Sequence, residues 1–212
     1  MQNIEYKKNF FDNKSPRIYT KRHHEVIDTL EKLFEQGVPE LTMSEIAKKL
    51  KISLRTLYEI APSRDQLILM TMDNILKKLG KSAMDSVAEI NSPIKKLEQY
   101  LFIVNQAVGP KFDRFLKDME NINGSKKTAD YHENFIKNFI KNLLKESIEK
   151  KEIKKIDINA FSILLGGIGR EFFKEENKNS IRLTPEESAN SITRLILNGI
   201  KLKNWWEMTS LK

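Results

Sequence analysis

The sequence predicts an all-α fold, on three observations. Apolar residues recur every three or four positions through most of the 212 residues, and few stretches alternate strictly as strands do. Helix breakers are scarce, with Gly 8 and Pro 6, and the segments between them are rich in Leu, Lys, Glu, Ile and Asn. Two stretches place Thr three residues before Glu ahead of an apolar run, Thr42 with Glu45 and Thr184 with Glu187, and the second has Pro185 at the first helical position. That spacing lets hydroxyl and carboxylate satisfy each other's backbone N–H groups at a helix start.

In chain order, an amphipathic helix is expected from about Thr20 to Glu35, with Val26, Ile27, Leu30, Leu33 and Phe34 on one side and Gln36-Gly37 closing it. Thr42 opens a second, burying Ile46, Ala47 and Leu50. After a Lys51-Ile52 turn, Ser53 caps a third to about Ile60, anchored by Leu54 and Leu57. Pro62 stops it, and Ser63 caps a long helix with Leu67, Thr71, Ile75 and Leu79 in one stripe, ending near Gly80. Ser92-Pro93 starts the next, burying Leu97, Leu101, Val104 and Val108 before Gly109-Pro110. A short segment around Phe112, Phe115, Leu116 and Met119 leads to the Asn123-Gly124-Ser125 turn. A long helix follows from about Ala129 to Lys150. Asp157 caps one carrying Phe161, Leu164, Leu165, Ile168 and Phe172, and Thr184 caps the last, through Ile192, Leu195, Ile196 and Ile200.

Residues 41–58 are thus two short helices joined by a tight turn, with Arg55, Thr56 and Tyr58 left on the outside of the second. These are an arginine fork that can pair bidentately with guanine, a small hydroxyl and a phenol able to reach phosphate. On spacing alone a DNA-binding helix-turn-helix and an ordinary pair of core helices both fit.

The flanking residues extend the pattern. Val26, Ile27, Leu30, Leu33, Phe34, Gly37, Thr42, Ile46, Ala47, Ser53, Thr56, Leu57, Tyr58, Ser63 and Leu67 are similar, without a gap, to the DNA-binding domain of the TetR family of bacterial transcriptional repressors. Lys51 departs from it where glycine is common in the turn, Ala61 where an aromatic is usual, and Arg64 where a lysine usually meets phosphate. The resemblance implies a homodimer whose recognition helices enter successive major grooves of a palindromic operator. Arg55 is expected to read a base, with Thr56 beside it. Thr42, Tyr58 and Arg64 would hold the backbone, Ser53 would cap and face DNA, and Lys48 would add nonspecific attraction.

The charge is distributed unevenly. The net charge is +8, yet residues 25–80 carry eight basic and nine acidic groups, whereas residues 1–24 carry six basic and two acidic. Attraction to DNA therefore falls to the arm at 1–19, with Lys7, Lys8, Lys14 and Arg17 beside Phe10 and Phe11, and to Lys21, Arg22, Lys48, Lys49, Lys51, Arg55 and Arg64. Lys150-Lys151-Glu152-Ile153-Lys154-Lys155 reads as a solvated turn rather than an anion site.

The second half carries two further patterns. Gly166, Gly167 and Gly169 sit inside a helical stretch, where close approach of another helix would offset their cost, within the chain or across a dimer. The resemblance places Phe161, Leu165, Gly166, Gly167, Ile168, Gly169, Ile192 and Ile196 at a dimer interface. It also places a small apolar or amphipathic effector among Tyr100, Phe112, Phe115, Met119, Phe135 and Phe139, residues that fit a plain core equally well.

Several classes find no support. No hydrolase elbow, metalloprotease pair or phosphate-binding glycine loop occurs, so no enzyme, cofactor or metal site is expected. The three histidines are expected at the surface or on the first helix. Without cysteine, an apolar run of membrane-spanning length or a leader-like start, a cytoplasmic location off the membrane is expected. The expectation is a ligand-responsive repressor with a DNA-binding domain at 20–67 and a regulatory, dimerising domain at 68–212. A constitutive DNA-binding protein without effector pocket and a helical binder of apolar ligands that never touches DNA are the alternatives.

Overall fold

The computed structural model describes residues 19–34, 37–38, 40–107 and 117–202. The basic arm through residue 18, Gly109-Pro110, and Phe112 and Phe115 lie outside the described residues. The helices are α1 (Lys21–Phe34), α2 (Met43–Lys49), α3 (Leu54–Ile60), α4 (Arg64–Ser86), α5 (Pro93–Ala107), α6 (Ser125–Glu149), α7 (Ile158–Phe173), α8 (Glu175–Lys178) and α9 (Pro185–Ile200). No strand occurs among the described residues. None of these helices is long and apolar enough to cross a membrane.

The described chain forms two compact units, one from the residues through 79 with 117–132, the other from 80–107 with 133–202. This division falls later than the functional boundary expected at 67, and it is discontinuous in sequence.

In the first unit, Leu30 and Phe34 of α1, Ile46 of α2, Leu57 and Ile60 of α3, and Leu67, Ile68 and Met72 of α4 make one buried core with Met119. Both expected caps form: Thr42 and Glu45 make the full capping box, and the Ser53 hydroxyl accepts from the Thr56 amide. Leu54, expected as an anchor, is exposed, because the core grips the seven-residue α3 at its C-terminal end through Leu57, Ile60 and Ala61. Between α2 and α3, the Ile52 amide donates to the Ala47 carbonyl and the Lys51 amide to that of Lys48. This is a Schellman closure, and it puts Lys51 at φ +55°, where glycine is favoured.

Helix α4 runs to Ser86 instead of stopping near Gly80. Gly80 lacks the positive φ of a helix-ending glycine, and beyond it Ala83 and Val87 are buried, so packing outweighs glycine's weak helix propensity. Helix α6 starts at Ser125, four residues before the expected Ala129. Gly124, at φ +97°, lets the chain enter, and buried Thr128 gives both its amide and its hydroxyl to the Gly124 carbonyl. Lys126 and Lys127 interrupt the apolar pattern there, which hides the first turn.

His132 is buried, contrary to the surface position expected of it. Asp73, on α4, accepts from the His132 ring at 3.0 Å and from Lys77 at 2.6 Å. Burial pushes the Asp73 carboxyl up, but the hydrogen bonds from His132 and Lys77 outweigh it and hold the group below the ordinary aspartate range. No pattern links positions 73 and 132 in the sequence.

The second unit buries Val87, Leu97, Tyr100, Leu101, Ile140, Leu144, Leu165 and Leu197, with α9 packed on both α5 and α7. Its basic loop is a turn, as expected. The Glu152 carboxylate accepts from the Ser92 hydroxyl and the Ile94 amide, capping α5 from a distance, while Lys150 and Lys154 donate to the carbonyls of Asn91 and Gly199. The end of α6 repeats the closure of α2: the Glu152 amide reaches the Ser147 carbonyl, the Lys151 amide that of Ile148, and Lys151 sits at φ +56°.

Candidate nucleic-acid interface

Helix α3 is clamped on one side and open on the other. Leu57 and Ile60 are buried in the first unit's core, whereas Tyr58 is exposed and the Arg55 side chain retains 89% of its accessible surface. Arg55 is not idle. Its Nε donates to Glu59 Oε1 at 3.1 Å, and the other carboxylate oxygen of Glu59 lies 3.5 Å from His23 Nε2. His23 Nδ1 accepts from the Thr20 amide, which leaves the ring proton on Nε2, facing Glu59. Glu59 was not among the expected site residues, although its i, i+4 spacing from Arg55 is readable in the sequence.

The remaining expected residues divide by how much of their chemistry is already committed. Thr42 gives both its amide and its hydroxyl to the Glu45 carboxylate, at 2.8 and 2.7 Å. Those bonds, the backbone one first, hold the Glu45 carboxyl below its ordinary range. The Ser53 hydroxyl is paired with that of half-buried Thr56 at 2.8 Å. Arg64 donates from Nε to the Leu41 carbonyl at 2.8 Å, tying the start of α4 to the entry of α2. Lys48, in the last turn of α2, is exposed. The structure thus leaves an arginine, a phenol and a lysine exposed on two short, capped helices.

No family model matches the sequence. The chain is 26% identical over 83 residues to the HTH-type transcriptional regulator HbdR of Aromatoleum sp. (strain CIB), a match that spans 39% of this chain and only 36% of that relative. Among solved structures it superimposes on a TetR-family transcriptional regulator from Pectobacterium atrosepticum with a TM-score of 0.68 at 14% identity, over 86% of this chain and 95% of that one. This is the TetR-family fold. It is shared by the regulator FadR from Bacillus subtilis in complex with stearoyl-CoA, with a TM-score of 0.64 at 16% identity over 84% of this chain and 99% of that one. AibR in complex with isovaleryl coenzyme A and operator DNA matches at a TM-score of 0.56 and 18% identity, over 81% of this chain and 96% of that one.

Within this TetR-type fold the described members of the expected effector set belong to both units. Met119 is part of the first unit's core, whereas Tyr100, fully buried, packs ring on ring against Phe139 in the second, with centroids 4.5 Å apart. Phe135 is also buried. The residues expected at a dimer interface differ in burial within the chain. Leu165, Ile168 and Gly169 are taken up by the chain's own core, and a Cβ on Gly166 would lie 2.9 Å from Lys137 Cγ, so this glycine serves packing within the chain. Gly167, by contrast, faces open space. Ile163 and Leu164 on α7, and Ile192 and Leu195 on α9, which packs against α7, are also exposed, with Ile163 at 61% and Leu195 at 66%. Of these four only Ile192 was expected. Ile163, Leu164 and Gly167 follow the i, i+3/i+4 spacing of one helix face, which was the available signal.

Proposed function

We propose that this chain is a DNA-binding transcriptional regulator of the TetR type, a homodimeric repressor that a small amphipathic effector releases from its operator. The observation that carries the proposal is the open face of α3, where an almost fully exposed Arg55 stands on a helix whose opposite side is fixed in the core. A rigid helix with an extended arginine fork suits base-edge readout in a major groove. In this reading residues 20–67 bind DNA and 68–212 dimerise and regulate. Arg55 and Thr56 face bases, and Thr42, Ser53, Tyr58, Arg64 and Lys48 face the backbone.

The apolar face of Ile163, Leu164, Ile192 and Leu195 supports dimerisation through α7 and α9, since large apolar side chains exposed together on adjacent helices favour a partner. For the effector, the relevant precedent is that FadR and AibR of the same fold hold acyl-coenzyme A molecules. We place the effector of this protein in the same amphipathic class. It would favour a conformation in which the two recognition helices no longer match successive grooves, and it must therefore bind more weakly once DNA is bound.

Selection of duplexes from a random-sequence library by the purified protein tests the proposal. Enrichment of a two-fold symmetric sequence, lost on adding long-chain acyl-coenzyme A, is the expected outcome. Enrichment that no acyl thioester reverses would favour a constitutive regulator, and no enrichment would remove the DNA reading.

A further inference from the structure

The second unit holds a cleft of about 640 Å³ between α5 and α9, and Lys95, Glu98, Phe102, Asn190, Thr193 and Arg194 are among its lining residues. Its volume is within the range of small-molecule sites. Neither the aromatic core around Tyr100 nor the apolar face of α7 and α9 contributes to it.

Its charges are unbalanced. Glu98 is neutralised by Lys201, whose ammonium lies 2.7 Å from its carboxylate. Lys95 and Arg194 have no ion-pair partner among the described residues. Two cations therefore line the cleft without an ion pair of their own.

Its neutral groups are equally suggestive. Thr193 is 3% exposed, and its hydroxyl is buried with no hydrogen-bond partner among the described residues. A helical threonine ordinarily satisfies that hydroxyl on the carbonyl one turn back, so an uncommitted one at a cleft wall is a donor in want of an acceptor. Asn190 is held through its side-chain oxygen by the amide of buried Asn105 at 2.9 Å, which leaves its own amide nitrogen uncommitted. Against these donors stands Phe102, an exposed aromatic ring on α5.

We infer that this cleft binds an organic acid with an apolar body, its carboxylate held by Lys95 and Arg194 and its body laid on Phe102. Thr193 and Asn190 supply the hydrogen bonds that fix its orientation. Cations, unsatisfied donors and a bare ring in one concavity match the two halves of such a molecule. A neutral apolar ligand would leave the cations and hydroxyl unanswered, and an amine would meet repulsion.

Calorimetric titration of the full chain with 2-naphthoate and with octanoate, each beside its uncharged amide, tests the inference. At least one acid should bind, its amide about tenfold more weakly, and which acid binds identifies the body as planar or acyl. The double variant K95Q/R194Q should lose about tenfold in affinity while Lys95→Arg retains it. Thr193→Val, which keeps the shape, should lose a few-fold. Circular dichroism melting of each variant confirms that the fold persists. Absence of binding by both acids, or affinity unchanged in the double variant, would overturn the inference, the latter by placing the acid elsewhere in the chain.

Discussion

At the scale of single residues, the two left-handed lysines are the clearest departures from local preference. Lys51 and Lys151 each close a helix in the position that favours glycine. A side chain there costs roughly 1–2 kcal/mol, partly offset by the greater freedom glycine would lose on folding. Lys51→Gly and Lys151→Gly should therefore each raise stability by about 0.5–1 kcal/mol in urea unfolding. Lys51 was legible because the family resemblance marks its place as one where glycine is common. Lys151 repeats the geometry where no such pattern exists, so only the structure reveals it.

Asp73 makes a second residue-scale prediction. Its folded-state carboxyl titrates below the ordinary aspartate range, so its contribution is complete above the unfolded value and is lost as pH falls through the folded one. Asp73→Asn should cost about 1–3 kcal/mol near neutrality, since it weakens the partners of buried His132 and of Lys77. The variant should also show a shallower loss of stability on acidification below the unfolded aspartate value, as read from urea midpoints against pH. The pair itself was invisible in the sequence, because 59 positions separate its members and burial of a histidine depends on what packs around it.

At the scale of elements, capping chemistry was legible and helix extent was less so. Thr42, Ser53, Asp157 and Thr184 start their helices as their side chains dictate. The C-terminal end of α4 and the start of α6 were misplaced because Gly80 reads as a stop and Lys126-Lys127 as a polar break. In each case buried neighbours decided the outcome, Ala83 and Val87 for one and Thr128 for the other. The glycines of α7 show the same limit. Three glycines in one helix signal close packing, but not which of them meets the chain itself. Gly166 does, against Lys137, while Gly167 does not. Gly167→Ala should stabilise by about 0.5–1 kcal/mol, because open space admits the methyl and helix propensity improves. Gly166→Ala should gain less or lose, since the Lys137 side chain must first move. Thermal unfolding of the two variants separates these outcomes, and equal gains would contradict the packing assigned to Gly166.

At the scale of the whole molecule, the helix-turn-helix stood out in the sequence because its positions are local and continuous from Val26 to Leu67. The sites of the second half depend on which faces α5, α7 and α9 bury against one another. Ile163 and Leu195 were therefore not singled out although they are exposed, whereas Leu165 and Ile168, expected at an interface, are buried in the chain's own core. The proposed function joins the two halves: an outward α3 in each protomer, with the protomers paired through α7 and α9. Gly167→Arg should then yield a light-scattering mass of one chain, against two for the unmodified protein.

DNA recognition through Arg55 is tested by titrating selected and scrambled duplexes with the unmodified protein and Arg55→Ala at several salt concentrations. The unmodified protein should bind the selected duplex about a thousandfold or more tighter than the scrambled one. Arg55→Ala should lose about 1–3 kcal/mol on the selected duplex alone, with preference relaxed at one position in each half-site. Equal losses on both duplexes would move Arg55 to the phosphates, and no measurable duplex binding by the unmodified protein at low salt would rule out a DNA-binding role.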